Sequence, residues 1–447
     1  MQLLEAAAVI GGRLEGTDRA FTGCSTDSRT IGTGELFIAL RGERHDGHSF
    51  IAAAAARGAS AALVERASAN APLPVLRVEN TRSAMGRLAA AWRSRFRIPL
   101  IAVTGSNGKT TVKEMLAAIL SRVAPVLATR GNLNNEIGVP LSLYRLGAEH
   151  RFVVLEMGAN HPGEIRRLTD MARPDVAVIT QCAPAHLEGF GSIEGVARAK
   201  AEIYEGLAAD GTAIINADDA YSGLWSSVCA GRRQISFGLS EPAEIHAAEI
   251  APLPGNGYRF LLHTLRGAVA VNLPLPGRHN VANALAAAAC CEAVQVPLAD
   301  IAAGLESVQP VKGRLERKPG LRSSTILDDT YNANPHSLRA ALEVLAGLPG
   351  RHWLVLGDMG ELGESSPTLH RDAGELARES GVQRLFAVGS LCRQAVTGFG
   401  AGAQHHADVQ DLAAAVKADL AADVIVLVKG SRAMQMERVV NALVAKD

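Results

Sequence analysis

The chain is predicted to be an α/β protein of three domains: a small N-terminal α/β unit over residues 1–97, a central P-loop unit with a parallel sheet over 98–310, and a C-terminal Rossmann-like unit over 311–447. Three observations carry that expectation. The 447 residues exceed what one hydrophobic core usually serves, and at roughly 150 residues per domain they call for three. Short apolar runs recur at spacings that leave room for a helix between them, the pattern of parallel strands joined by crossovers. Residues 307–313 read Ser-Val-Gln-Pro-Val-Lys-Gly, with the character of a linker between two such groups.

In the first unit, 34–40 is strand-like and the alanine-rich stretch 50–57 reads as a helix. The central strands are expected at 98–103, 152–155, 176–179 and 213–215, and the C-terminal ones at 325–327, 353–356, 385–388 and 424–428. There is no fixed-period repeat and no low-complexity tail. Lys and Arg number 45, as do Asp and Glu, so no overall field draws the chain to nucleic acid or to an anionic membrane. The first five residues lack a basic signal-peptide region, and no stretch reaches the ~18 uncharged apolar residues of a membrane span. The expectation is a cytoplasmic protein with small-molecule partners, no nucleic acid and no membrane insertion. Cys24, Cys182, Cys229, Cys290, Cys291 and Cys392 show no CxxC spacing and read as buried reduced thiols, with neither disulfides nor zinc.

The sharpest chemical signal follows the run 98–103: Thr104-Gly105-Ser106-Asn107-Gly108-Lys109-Thr110-Thr111, then a helix-like stretch over 112–120. Glycines let backbone N–H groups converge on phosphate oxygens, the helix N-terminus adds partial positive charge, and Lys109 adds a full one. Only two residues separate Gly105 from Gly108 where four are usual, so the loop is a shortened phosphate-binding loop. Thr110 or Thr111 is placed to hold a magnesium ion through its hydroxyl.

In open α/β sheets ligands gather beyond the carboxyl ends of the strands. Glu156 ends the run 152–155, either as a magnesium ligand or as a carboxylate entering solvent. His186 follows the third run, as a metal ligand or a structural histidine. Lys200 interrupts an apolar helical stripe of Ile193, Val196, Ile203, Tyr204 and Leu207, either snorkelling to water or held dry with a lowered pKa. Asn280 is an N-cap or, with Asn283 three residues on, a reader of an adenine edge. Arg314, just past the linker, is positioned to stabilise phosphoryl oxygens from a neighbouring domain. The segments 328–335 and 429–432 (Lys-Gly-Ser-Arg) close two buried strands with polar residues.

In this order the segments resemble the Mur ligase family, ATP-dependent enzymes that build the peptide stem of the bacterial cell wall, over essentially the whole chain. The carrying motifs are Thr-Asp-Ser-Arg at 26–29, Gly-Glu-Leu-Phe-Ile-Ala-Leu-Arg-Gly-Glu-Arg at 34–44, Gly-Asn-Leu-Asn-Asn-Glu-Ile-Gly-Val-Pro at 131–140, Glu-Met-Gly-Ala-Asn at 156–160 and Asp-Asp-Thr-Tyr-Asn-Ala-Asn-Pro at 328–335. A sister enzyme adding a single amino acid is expected to carry an Asp-Tyr-Ala-His-type segment in place of the last. The shortened loop is the family's own form.

The resemblance implies ATP and Mg2+ as cofactors. It places Lys109 and the loop residues Gly105, Ser106, Asn107, Gly108, Thr110 and Thr111 at the ATP phosphates, Asn280 and Asn283 at adenine, Arg314 near the phosphates and Asp329 at the ribose or metal. Thr110, Glu156, His186 and Lys200 would surround magnesium, Lys200 lying where many relatives carry a carbamylated lysine. Lys109, Lys200, His186 and Arg314 form the expected catalytic set. A UDP-binding role falls to the N-terminal domain around Ser28, Arg29 and Asp46. Further substrate contacts are expected from Asn134, Asn135, Tyr331, Asn332, Asn334, Lys429, Ser431 and Arg432. In several relatives a lysine stands in the place of Tyr331, so no lysine role is carried to it. The implied reaction joins D-alanyl-D-alanine to UDP-N-acetylmuramoyl-tripeptide through an acyl phosphate, in a monomer whose C-terminal domain closes over the site.

Overall fold

Strands made of consecutive apolar residues need cover on both faces. Leu100–Thr104, Val176–Ile179 and Thr212–Asn216 are buried along their whole length, and Phe152–Glu156 beyond its first residue. Their alternate side chains feed two different cores. Ile101, Val103, Val154, Val178 and Ile214 pack with the helices Lys109–Ser121 and Arg278–Ala293 on one face. Leu100, Ala102, Val153, Leu155 and Ile179 face the other way, into a core shared with the N-terminal residues Leu3, Leu88 and Trp92.

The structure, a computed structural model, describes residues 1–43, 45–66, 71–239, 242–254 and 257–445. Arg44, the last residue of the 34–44 motif, lies outside the described residues. Among the described residues, three sheets organise the chain. The first has five strands in the order Arg13–Glu15, Val75–Arg77, Ala61–Val64, Leu36–Ile38, Cys24–Ser25. The second has nine, ordered Gly267–Leu273, Tyr258–Thr264, Ile245–Pro252, Arg233–Gly238, Thr212–Asn216, Val176–Ile179, Leu100–Thr104, Phe152–Glu156, Val126–Ala128. The third has six, ordered Glu316–Pro319, Thr325–Asp329, Val424–Lys429, Arg351–Gly357, Arg384–Val388, Ala403–His406.

The central sheet is not parallel throughout: Ile245–Pro252, Tyr258–Thr264 and Gly267–Leu273 form an antiparallel meander at one edge. The expected parallel sheet is found at the centre, and its four predicted runs do not extend to this edge, which is wet on one face, so that its strands alternate instead of forming apolar runs. In the third sheet only Glu316–Pro319 runs antiparallel, and the rest is parallel. The helix Thr81–Ser94 shares the core beneath the central sheet, and Trp92 Nε1 donates to Leu146 O at 3.1 Å. Five cysteines are buried, whereas Cys182 is partly exposed. Among the described residues, no helix is long and apolar enough to cross a membrane.

Candidate active site

The loop leaving Leu100–Thr104 turns where only glycine fits. Gly105 has φ 148° and Gly108 φ 82°. A Cβ at Gly105 would overlap Thr180 Oγ1, and one at Gly108 would overlap the Asn283 carboxamide. The turn delivers Lys109 as the first residue of the helix Lys109–Ser121. Lys109 Nζ folds back onto the loop, donating to Gly105 O at 2.6 Å and Ser106 O at 3.3 Å. Desolvation pulls its pKa down to about 8, opposed by Glu156 and assisted by Arg314. Ser106 is pinned in place, its Oγ donating to Ala183 O at 2.9 Å.

Beside the loop lies a cleft of about 1050 Å3 between the carboxyl ends of the central and C-terminal sheets. Its central wall carries Ser106, Asn107, Gly108, Lys109 and Thr111, with Asn134, Asn135, Glu156 and His186 beyond them. Asn280 and Asn283 line it from the helix Arg278–Ala293. Asn280 is not the N-cap, because Gly277 takes that position. Instead its Nδ2 donates to Pro276 O at 2.7 Å and its Oδ1 accepts from Asn283 Nδ2 at 3.0 Å. The C-terminal wall supplies Arg314, Asp329, Tyr331, Asn332, Asn334 and Lys429.

Two hydrogen bonds tie that wall to the phosphate loop. Arg314 Nη2 donates to Thr110 Oγ1 at 2.9 Å, and Asn334 Nδ2 donates to Asn107 Oδ1 at 2.8 Å. The Arg314 guanidinium lies over the Tyr331 ring, 4.3 Å from its centroid, which holds the fork in plane for an anion. Beneath it Lys429, 2% exposed, donates to Asp329 Oδ2 at 2.5 Å and to Asn332 O at 2.9 Å.

Glu156 Oε1 accepts from Asn134 Nδ2 at 2.7 Å, while its buried Oε2 has no hydrogen-bond partner. A buried acceptor left bare costs about 1–3 kcal/mol, a cost that a cation would remove. The buried Asn107 Nδ2 and Arg314 Nε are likewise unpaired, and both are donors suited to an anion. A hard divalent ion and a phosphate therefore fit the groups present.

Thr110 and Lys200 are buried but do not line the cleft. Lys200 does not snorkel: it is 2% exposed, and its pKa is pulled down to about 7 by desolvation, then by Lys109. Ser28, Arg29, Asp46, Ser431 and Arg432 also lie off the cleft lining. Arg29 pairs with Asp27 at 2.8 Å, Asp46 with His48 at 2.6 Å and with Arg66, and Arg432 with Glu437 at 3.0 Å. Sequence reasoning passed over Asn216, Asp218, Asp219, His279 and His336, which line the cleft. Asn216 ends a buried strand and Asp218 and Asp219 follow it, so the strand-end rule that found Glu156 should have found them. His279 is held neutral, its pKa pushed down to about 4 by desolvation.

A glycine-turned phosphate cradle in a largely parallel sheet, faced by a Rossmann-like unit that reaches back with an arginine, defines the class of P-loop nucleotide-dependent α/β proteins. The chain belongs to the Mur ligase family: the Mur ligase middle domain matches residues 103–291, the Mur ligase glutamate ligase domain 313–432, and the Mur ligase family catalytic domain 20–93. It is 45% identical over 443 residues to the UDP-N-acetylmuramoyl-tripeptide–D-alanyl-D-alanine ligase of Escherichia coli strain K12, covering 99% of this chain and 98% of that one. A crystal structure of MurF from Acinetobacter baumannii superposes with a TM-score of 0.91 at 38% identity, over 98% of this chain and 97% of that one. The MurF ligase of Thermotoga maritima, solved in complex with ADP, gives 0.83 at 28% identity, over 94% and 96%.

Proposed function

We propose that the chain ligates D-alanyl-D-alanine to UDP-N-acetylmuramoyl-tripeptide at the expense of ATP, giving the UDP-linked pentapeptide, ADP and phosphate in peptidoglycan synthesis. Residues 1–97 bind the UDP-sugar, 98–310 the nucleotide, and 311–447 close the site over the dipeptide. A carboxylate is a poor acyl donor. The terminal carboxylate of the tripeptide therefore takes the γ-phosphoryl group of ATP, and ADP leaves. The free amine of the dipeptide then adds to the acyl phosphate carbon, loses a proton, and expels phosphate as the amide forms.

Lys109 now holds two backbone carbonyls, and an anionic phosphate offers its ammonium a stronger acceptor. Arg314 brings its guanidinium from the other domain to the charge that develops on the transferring group. Asn280 and Asn283 present carboxamides to the adenine edge. A bound magnesium ion supplies Lewis-acid neutralisation of the phosphoryl oxygens. Glu156 and His186, which line the cleft, would hold it; the family resemblance adds Thr110 and Lys200, the last as its carbamate, both buried off the cleft lining in this structure. The low pKa of Lys200 favours that modification, since the uncharged amine is the form that adds carbon dioxide.

The observation that carries this reading is the bare Glu156 Oε2 beside a phosphate loop to which Arg314 is bonded from another domain. The test is ADP release from purified protein with UDP-N-acetylmuramoyl-tripeptide and D-alanyl-D-alanine, against D-glutamate, meso-diaminopimelate or no amine. Turnover with the dipeptide alone is expected. Turnover with a single amino acid, or none with the dipeptide, overturns the assignment.

A further inference from the structure

The loop that follows strand Arg351–Gly357 crosses from the C-terminal domain to the central one and meets the loop carrying His186. His186 Nδ1 lies 2.5 Å from Glu361 Oε2, and Glu188 N donates to Glu361 O at 3.4 Å. His186 and Glu361 are both non-glycine residues in the left-handed region, at φ 54° and 63°. Such conformations are strained for residues that carry a Cβ and persist where surrounding structure enforces them. Here two of them face each other across a domain boundary.

The base of the Glu361 loop is braced from below. Asp358 Oδ1 accepts from Cys392 N at 2.8 Å, and Asp358 O from Ser431 N at 3.0 Å. His370 Nε2 accepts from Met359 N at 2.9 Å while its Nδ1 meets Ser366 O at 2.7 Å. The cluster Asp358, His370, Cys392 has metal-like spacing, yet both ring nitrogens of His370 are already engaged. It is a brace that aims Glu361.

A histidine that binds a metal through one nitrogen usually donates its other N–H to a carboxylate, which fixes the tautomer and the ring plane. Glu361 is placed to do this for His186: its carboxylate stands at Nδ1, close but short of hydrogen-bond alignment in this structure, and leaves Nε2 to the cleft that His186 lines. Glu361 itself does not line the cleft. We propose that Glu361 is a positioning residue, that it orients His186 for the divalent cation, and that the cation site is completed only when the C-terminal domain docks. This rests on the reading above that His186 belongs to the cation site. Metal binding and domain docking then favour each other by the same factor.

The experiment titrates Mn2+ by its EPR signal into full-length protein with ADP, for wild type, Glu361→Ala, Glu361→Gln and His186→Ala, with small-angle scattering on the same samples. Glu361→Ala is expected to weaken Mn2+ by about 10–100-fold and to abolish metal-induced compaction. Glu361→Gln, which keeps an acceptor oxygen, is expected to lose less. Excess Mg2+ should restore turnover of Glu361→Ala. Wild-type Mn2+ affinity in Glu361→Ala alongside weakened binding in His186→Ala overturns the latch alone. Unchanged affinity in His186→Ala overturns the metal role of His186 and the latch with it.

Discussion

Two arginines picked out from the same sequence ended in opposite situations. Arg29, on the N-terminal unit, is 85% exposed and pairs with Asp27 two residues away, while Arg314 crosses a domain boundary to reach Thr110. The same contrast separates the regions around them. Asp46 is satisfied by His48 and Arg66 of its own domain, whereas Asn107, Glu156 and Arg314 each keep a buried polar atom with no partner. An exposed local pair is screened by solvent, contributes little and is easily exchanged for another partner. A buried group left bare is held there by the fold, and a ligand that satisfies it gains what the fold gave up. The first region is a surface at rest, and the second is a site built around missing partners.

That contrast ranks the expected losses. Lys109→Ala removes the full charge at the cradle and should lower kcat about 10³-fold or more, with folding intact by thermal melt; a loss under tenfold would place the phosphates elsewhere. Arg314→Lys keeps a charge but not the fork stacked on Tyr331, and should cost about 10²–10³-fold in kcat with a smaller change in KM for ATP. Full activity in this variant would reduce the cross-domain bond to packing. Lys429→Ala strands Asp329 in a buried pair and should destabilise the C-terminal domain by about 3 kcal/mol in denaturant unfolding.

The smallest effect concerns pH. His279 is held at about 4 against an ordinary value near 6.5, so between those values the unfolded chain binds a proton that the folded one refuses. Stability should therefore fall as pH drops from about 6.5 to 4, and His279→Gln should flatten that slope. An unchanged slope would assign it to His336, whose pKa desolvation also lowers; Asp219, whose pKa burial raises, gives a slope of the opposite sign.

Much of this was legible because it is local. Val176–Ile179 begins and ends where its apolar run does, and Gly105 and Gly108 announce a turn that only glycine can make. The antiparallel meander was not legible, since strands with one wet face give weaker patterns than buried ones. Nor was the fate of Asn280, since a carboxamide near a helix start serves equally as cap or as side-chain partner, and Gly277 had already started the helix. For Lys200 the stripe told of a lysine among apolar residues but not whether its stem reached water; packing on every side decided that it does not.

The sequence by itself determined the α/β class, the phosphate loop and the family, because strand burial, glycine geometry and motif spacing are written in neighbouring residues. Only the tertiary structure decided which side chains meet: Arg314 with Thr110, Asn334 with Asn107, Glu361 with His186. Those partners stand on different domains, roughly 170–230 residues apart in the chain, and local patterns carry no information about contacts at that range.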